Sequence, residues 1–309
     1  MSLQDQLLQF LLSGITIGSI YALIALGFVT IYNVTGIINF AQGEFAVYGA
    51  FIAITVFQDS RLLSGNVHLA LAWPLPLAAL FGVAVTTLLG LLLYRAGIQP
   101  ARNASVLSMI IITIGAAFSM RGMALLVWGT DPFRLPVFSK GAPLKIGGAI
   151  LTRQSVWVIA VTAVLLLLLY LFFNRTLIGK ALRASAANPG AARLMGINTR
   201  RMAMLSFGLS AAVTAIAGIV IVPSTFMTYD RGLTLSLKGF VAATMGGMSS
   251  TTGAVIGGLF LGILEAFGAG LLSSGYKDAI SFIVLFVVLA ARLGGLLRGR
   301  ATMVEQAGL

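Results

Sequence analysis

Residues 7–31 read LLQFLLSGITIGSIYALIALGFVTI, an apolar run without a single charged side chain. About 20 such residues in a helix cross a hydrocarbon core of about 30 Å. The run is too long for the apolar part of a cleavable secretion signal, and no Lys or Arg precedes it, so it reads as a membrane span. Further apolar runs follow at 37–57, 72–94, 104–128, 154–173, 202–222, 237–248, 254–272 and 278–297. Twelve helical residues reach only about 18 Å, so the run at 237–248 is half a helix or a re-entrant segment. The expected fold is an all-α, polytopic transmembrane helix bundle of eight or nine apolar segments, one domain over residues 1–309.

Composition agrees. Of 309 residues, 59% are hydrophobic and 9% charged, with a mean hydropathy of +1.01, whereas soluble domains carry about 25% charged residues. A water-soluble enzyme is excluded. There is no cysteine, and His68 is the single histidine, so thiolate nucleophiles, disulfides, cysteine metal sites and histidine clusters are excluded too.

The net charge of +12 suggests nucleic acid until the positions of the charges are read. Arg175, Lys180, Arg183, Arg193, Arg200 and Arg201 crowd the connection 174–201 without an acid. Arg95 and Arg102 sit in another connection, and Arg292, Arg298 and Arg300 in the tail, against Glu305. The positive-inside rule assigns these three regions to the cytoplasm and the N-terminus to the outside. The basic excess is a topology signal; the partner it indicates is membrane lipid, not nucleic acid.

The 36 glycines recur one helical turn apart at Gly14/Gly18, Gly253/Gly257 and Gly258/Gly262, a spacing that lets helix backbones approach closely. Polar residues interrupt the apolar runs twice, at Asn39-Phe40-Ala41-Gln42-Gly43-Glu44 and from Gly246-Gly247-Met248-Ser249 to Gly253. Paired interruptions in two halves of a membrane chain point to a transport site and an inverted repeat. Asn39, Gln42, Glu44, Gly246, Gly247 and Ser249 are therefore the candidate substrate path or gate; the alternative is that they cap freed backbone groups. A carboxylate at the depth of Glu44 must face protein, water or a cation, or be protonated. Glu265 is expected in a structural ion pair with Arg121 or Lys238; the alternative is that it lies close enough to the outer interface to be hydrated.

Asn188-Pro189 reads as an N-cap followed by proline in the first helical turn. Ala191, Ala192, Arg193, Leu194 and Met195 continue the helix, and Gly196 followed by Ile197 ends it in a Schellman pattern. Two turns are not stable alone in water, so this helix either packs against a partner or lies on its own domain or on anionic lipid. No G-x-x-x-x-G-K-[ST] pattern occurs; Gly179-Lys180 is followed by Ala181. The chain is not read as an enzyme and is expected to bind no cofactor or metal.

The blocks Gly18-Ser19-Ile20-Tyr21-Ala22-Leu23, Ile38-Asn39-Phe40-Ala41-Gln42-Gly43-Glu44, Gly179-Lys180-Ala181-Leu182-Arg183-Ala184, Gly196-Ile197-Asn198 and Leu261-Gly262 to Glu265-Ala266, in that order, resemble the first of the two permeases of branched-chain amino acid ABC importers. Tyr276-Lys277-Asp278 closes the match, which covers nearly the whole chain. The resemblance implies a subunit of the bacterial inner membrane that works by alternating access. It implies a second homologous permease, ABC ATPase subunits that bind ATP and Mg, and an extracytoplasmic amino-acid-binding protein. Residues 188–196 match the coupling helix that docks on the ATPase. The family commonly has His in the place of Gln42. Related permeases carry urea, short amides or other amino acids; an ion-coupled secondary transporter is the reading from outside the class.

Overall fold

The computed structural model describes residues 2–290 apart from 59, 63–66, 70, 102–103, 272, 277, 285 and 289. Arg102, Lys277, Arg292, Arg298, Arg300 and Glu305 of the charge argument lie outside the described residues.

The first helix, α1 (Leu3–Thr35), opens on a capping box in which the Ser2 hydroxyl accepts from Asp5 N–H and Asp5 accepts from Ser2 N–H. It stops at Gly36, whose φ of 70° is the left-handed conformation that glycine adopts without Cβ strain. The chain continues through α2 (Gln42–Phe57), α3 (Leu75–Leu92, prolonged by a π-type turn to Ile98), α4 (Val106–Trp128) and α5 (Arg153–Arg175). Then come α6 (Leu177–Ala187), α7 (Pro189–Leu194), α8 (Thr199–Ile221), α9 (Arg231–Gly246) and α10 (Thr251–Leu271). Thr176, Asn188 and Asn198 cap α6, α7 and α8 in turn, each accepting from a backbone N–H three residues on. Two antiparallel hairpins, β1 (Ser60–Leu62) with β2 (Val67–Leu69) and β3 (Leu144–Ile146) with β4 (Ala149–Leu151), are additions to the expected all-helical chain. The hairpins mark one face of the bundle and α6–α7 the other.

Among the described residues, six helices are long and apolar enough to cross a membrane. The central one is α1, with 83% of its apolar window buried, against 17% for α4 and α5 on the periphery. Its glycines do what their spacing promised. A Cβ on Gly262 would stand 2.3 Å from Gly18 Cα, and one on Gly18 would stand 2.8 Å from Leu259 Cα. Helices α1 and α10 therefore meet backbone to backbone, a contact driven by dispersion at short range.

The run at 37–57 is not one span. Residues 37–39 have no regular structure, 40–41 form a turn, and helix begins only at Gln42. The run at 237–248 is the end of the longer helix α9. Both α2 and α9 have 16 residues, about 24 Å of helix, too short to cross. Their N-termini meet inside the bundle: Gly43 N–H donates to Ser236 Oγ at 2.7 Å, and a Cβ on Gly43 would stand 2.0 Å from Gly232 O. From there they diverge. The end of α2 reaches the hairpin face, where Gln58 Nε2 donates to Arg134 O. The turn after α9 is held at the α7 face, where Asn33 Nδ2 donates to Ser249 O.

This arrangement is an inverted repeat. Helix α1 packs on α8, α9 and α10; α8 packs on α1, α2 and α3; α2 lies on α3 as α9 lies on α10. Exchanging α1 with α8, α2 with α9 and α3 with α10 reproduces the set of contacts. One shift along the chain brings Gly43 onto Gly232 and Ala53 onto Ala242, and it also holds for packing. Ala53 faces Gly82 of α3, and Ala242 faces Gly257 of α10. The structural counterpart of the break at 36–41 is consequently the segment 222–230. The expected counterpart, 246–253, is a tight turn between α9 and α10, because Ser250 N–H closes on Gly247 O.

Candidate functional site

At the start of α2, Asn39 and Gln42 are fully buried. Asn39 Oδ1 accepts from Ala41 N–H at 3.2 Å, an Asx turn that sets the chain into the helix. Gln42 Nε2 donates to Thr214 Oγ1 at 2.5 Å and to Ser210 O at 3.4 Å, while Gln42 Oε1 faces Ser210 Oγ at 2.8 Å. Ser210 Oγ also lies 2.9 Å from Gly27 O. One amide thus ties the half-helix to α8 and α1. A buried polar group left without its partner costs about 1–3 kcal/mol, so this seam holds only while its members stay in register.

Glu44 is 1% exposed and takes one hydrogen bond and ion pair, from Arg121 Nη2 of α4 to Oε1 at 3.3 Å. Among the described residues its Oε2 has no hydrogen-bond partner, nor does Arg121 Nε. The carboxylate sits against the first turn of α9, where a Cβ on Gly232 would come within 2.3 Å of it. The positive end of that helix supplements the arginine. Glu265 is held quite differently. Lys238 Nζ pairs with Glu265 Oε1 at 2.9 Å and with Asp278 Oδ1 at 2.7 Å. Tyr21 Oη donates to Glu265 Oε2 at 2.7 Å, and Ser281 Oγ donates to Oε1. Of the two cations open to Glu265 in sequence, Lys238 is its partner, and Arg121 belongs to Glu44.

Gly246, Gly247 and Ser249 lie at the α7 face, away from Asn39, Gln42 and Glu44. A Cβ on Gly246 would stand 1.9 Å from Gly253 O, and Gly247 has a φ of 86°. These glycines permit the sharp reversal from α9 into α10. Ser210, Thr214 and Ser236 were not singled out in the sequence. Ser206, Ser210 and Thr214 recur every four residues and so share one face of an apolar helix, a stripe that could have marked them.

The capped helix stands as its sequence indicated. Asn188 Oδ1 accepts from Ala191 N–H at 3.0 Å; Ile197 N–H returns to Ala192 O at 3.0 Å, and Gly196 has a φ of 82°. Ala192 is buried against the neighbouring helices, whereas Leu194 and Met195 are 90% and 82% exposed. Pro189, Gly196 and Arg193 are exposed as well. Two large apolar side chains project from a basic surface without a partner face among the described residues.

The family described as branched-chain amino acid transport system / permease component matches residues 10–289. Among curated relatives, the high-affinity branched-chain amino acid transport system permease protein LivH of Escherichia coli is 33% identical over 302 residues, spanning 94% of this chain and 95% of its own. LivH of Salmonella typhimurium is 32% identical over the same shares. The corresponding permease protein BraD of Pseudomonas aeruginosa is 33% identical over 300 residues, again 94% and 95%.

Proposed function

Since the chain belongs to the family of branched-chain amino acid transport system permease components, we propose that it forms one half of a two-permease core that admits branched-chain or related neutral amino acids through the bacterial inner membrane. The α7 face is cytoplasmic, the N-terminus and the hairpins lie outside, and the C-terminus lies inside. ABC ATPase subunits supply ATP and Mg chemistry, and an extracytoplasmic binding protein delivers the substrate.

The observation that carries this reading is α7, a helix capped at both ends that presents Leu194 and Met195 to water. A groove on an ATPase would cover them. Closure of the ATPases then moves α7, and α8 follows, because only the four residues 195–198 separate the two helices. Along α8 the displacement reaches Ser210 and Thr214, which hold Gln42. Asn39, Gln42 and Glu44 act as a gate whose bonds are exchanged as α2 swings; Gly246, Gly247 and Ser249 give the α9–α10 pair its hinge. The single bond of Glu44 suits a contact that must break and remake.

Purification from native membranes in mild detergent, with mass spectrometry of what co-purifies, tests the assembly. Stoichiometric recovery of an ATPase with a phosphate-loop motif and of a second permease supports it. Recovery of this chain alone, transporting in liposomes without ATP, overturns it in favour of a secondary transporter. Uptake of urea or a short amide in place of leucine would change the substrate and leave the assembly standing.

A further inference from the structure

The inverted repeat puts the same backbone geometry at the start of both half-helices, but not the same contents. In the first half the leading residue of α2, Gln42, fills the space against Ser210 of α8. The shift that superposes Gly43 on Gly232 carries Gln42 onto Arg231 and Ser210 onto Tyr21. Arg231 and Tyr21 do not touch through a bond; they face a cavity of about 260 Å³, just below the range of about 300–1,000 Å³ for ligand pockets. One wall is aliphatic, from Ile17, Ile20 and Leu235. The other is charged, from Arg231, Lys238 and Asp278.

The charges are unequally engaged. Lys238 is 7% exposed in its side chain and has Glu265 as a second carboxylate at 2.9 Å. Asp278 is 64% exposed in its side chain. Arg231 takes part in no salt bridge among the described residues. The Lys238–Asp278 contact can therefore open toward an incoming cation while Lys238 keeps its charge compensated by Glu265. With Glu265 counted, the wall carries two cations and two anions, and it is neutral. A lone anion or cation of substrate leaves one of these charges unmatched; a molecule bearing both matches all of them.

Resting on the importer reading above, we infer that this cavity is a transit subsite for a zwitterionic amino acid with an aliphatic side chain. Arg231, with Lys238 beside it, receives the α-carboxylate; Asp278 receives the α-ammonium; Ile17, Ile20 and Leu235 receive the side chain. In the first half Gln42 and Ser210 close the equivalent place, so only one half of each permease holds substrate in this way. The aliphatic wall discriminates by size rather than by hydrogen bonds, which limits selection among neighbouring aliphatic side chains to about 10–200-fold.

The test uses the complete transporter in liposomes, with binding protein saturated with radiolabelled leucine so that capture does not limit the rate. Arg231→Gln and Asp278→Asn are each expected to lower maximal leucine uptake at least tenfold, with Asp278→Glu restoring part of it. Ile17→Phe, which alters no charge, is expected to reduce leucine uptake at least threefold more than alanine uptake. Maximal rates within twofold of the unmodified transporter for Arg231→Gln and Asp278→Asn, together with equal effects of Ile17→Phe on leucine and alanine, would overturn the subsite while the importer reading stands. Absence of ATP-driven leucine uptake by the unmodified transporter would instead overturn the importer reading, and the subsite with it.

Discussion

The two glutamates of the bundle interior, one in each half of the repeat, live under opposite regimes. Glu265 has each oxygen bonded, by Lys238, Tyr21 and Ser281, and it fastens α1, α9, α10 and the segment Asp278–Val288 together. Glu44 has one bond to Arg121 and, among the described residues, one oxygen without a partner. A carboxylate surrounded on all sides by donors is fixed by the loss that any displacement would bring. A carboxylate held at one point, beside the N-terminus of a neighbouring helix, can trade that point for another at small cost. The repeat thus places a heavily bonded carboxylate in one half and a singly bonded one in the other, on one backbone plan.

The largest effects should come from the glycines on which that plan rests. Gly43→Val forces a side chain into Gly232 O, and backbone cannot step aside; we expect loss of folded protein by size exclusion in detergent. Gly232→Ala meets the Glu44 carboxylate first, so a loss of about 1–3 kcal/mol is expected. Part of it should return in the double variant with Glu44→Ala, a coupling that thermal unfolding of the purified assembly would read; strictly additive losses would contradict the contact.

The glutamates come next. Removing Lys238 from its buried carboxylates, as in Lys238→Ala, should cost about 3–5 kcal/mol. Glu44→Gln retains an acceptor for Arg121 and should cost clearly less while slowing uptake. Equal destabilisation by the two would erase the distinction between clamp and latch.

Between the starts of the half-helices the contrast is finer. Gln42→Leu strands Ser210 and Thr214 and is expected to cost about 1–3 kcal/mol; Arg231→Leu, at an exposed position, should stay within about 0.5 kcal/mol. The smallest change in stability is expected for Leu194→Glu with Met195→Glu, within the same range, although a transporter assembled with this variant should hydrolyse ATP on its ATPase subunits without moving substrate. It is a better test of docking than a change at Ala192, which is buried. Normal uptake by the double variant would remove α7 from the coupling path.

Much of this was legible along the chain, because it is local. The Asn188 cap and the Gly196 stop act through neighbours within a few residues, the glycine spacings mark the close-packed faces of α1 and α10, and these reappear in the fold, whereas the apolar runs at 37–57 and 237–248 are redrawn as the half-helix α2 and the end of α9. The partner of Glu265 was narrowed to two cations and no further, and Arg121 was not linked to Glu44. The breaks were both noticed, but 39–44 was paired with 246–253. Polar residues flag that turn because it interrupts apolar sequence, whereas the counterpart at 222–230, with Pro223, Ser224, Thr225, Thr228 and Asp230, falls between the apolar runs at 202–222 and 237–248 and reads as an ordinary connection.

By itself the sequence determined that the chain lies in a membrane, which face carries the basic connections, where helices approach closely and where a short capped helix projects. These follow from transfer free energies and backbone geometry, which operate over one or two helical turns. Only the tertiary structure decided that two half-helices meet nose to nose, that Gln42 plugs one seam while Arg231 opens onto a cavity in the other, and which cation holds which glutamate. Those choices join residues on different helices, and in a medium without water each buried charge takes whatever partner the packing brings within reach.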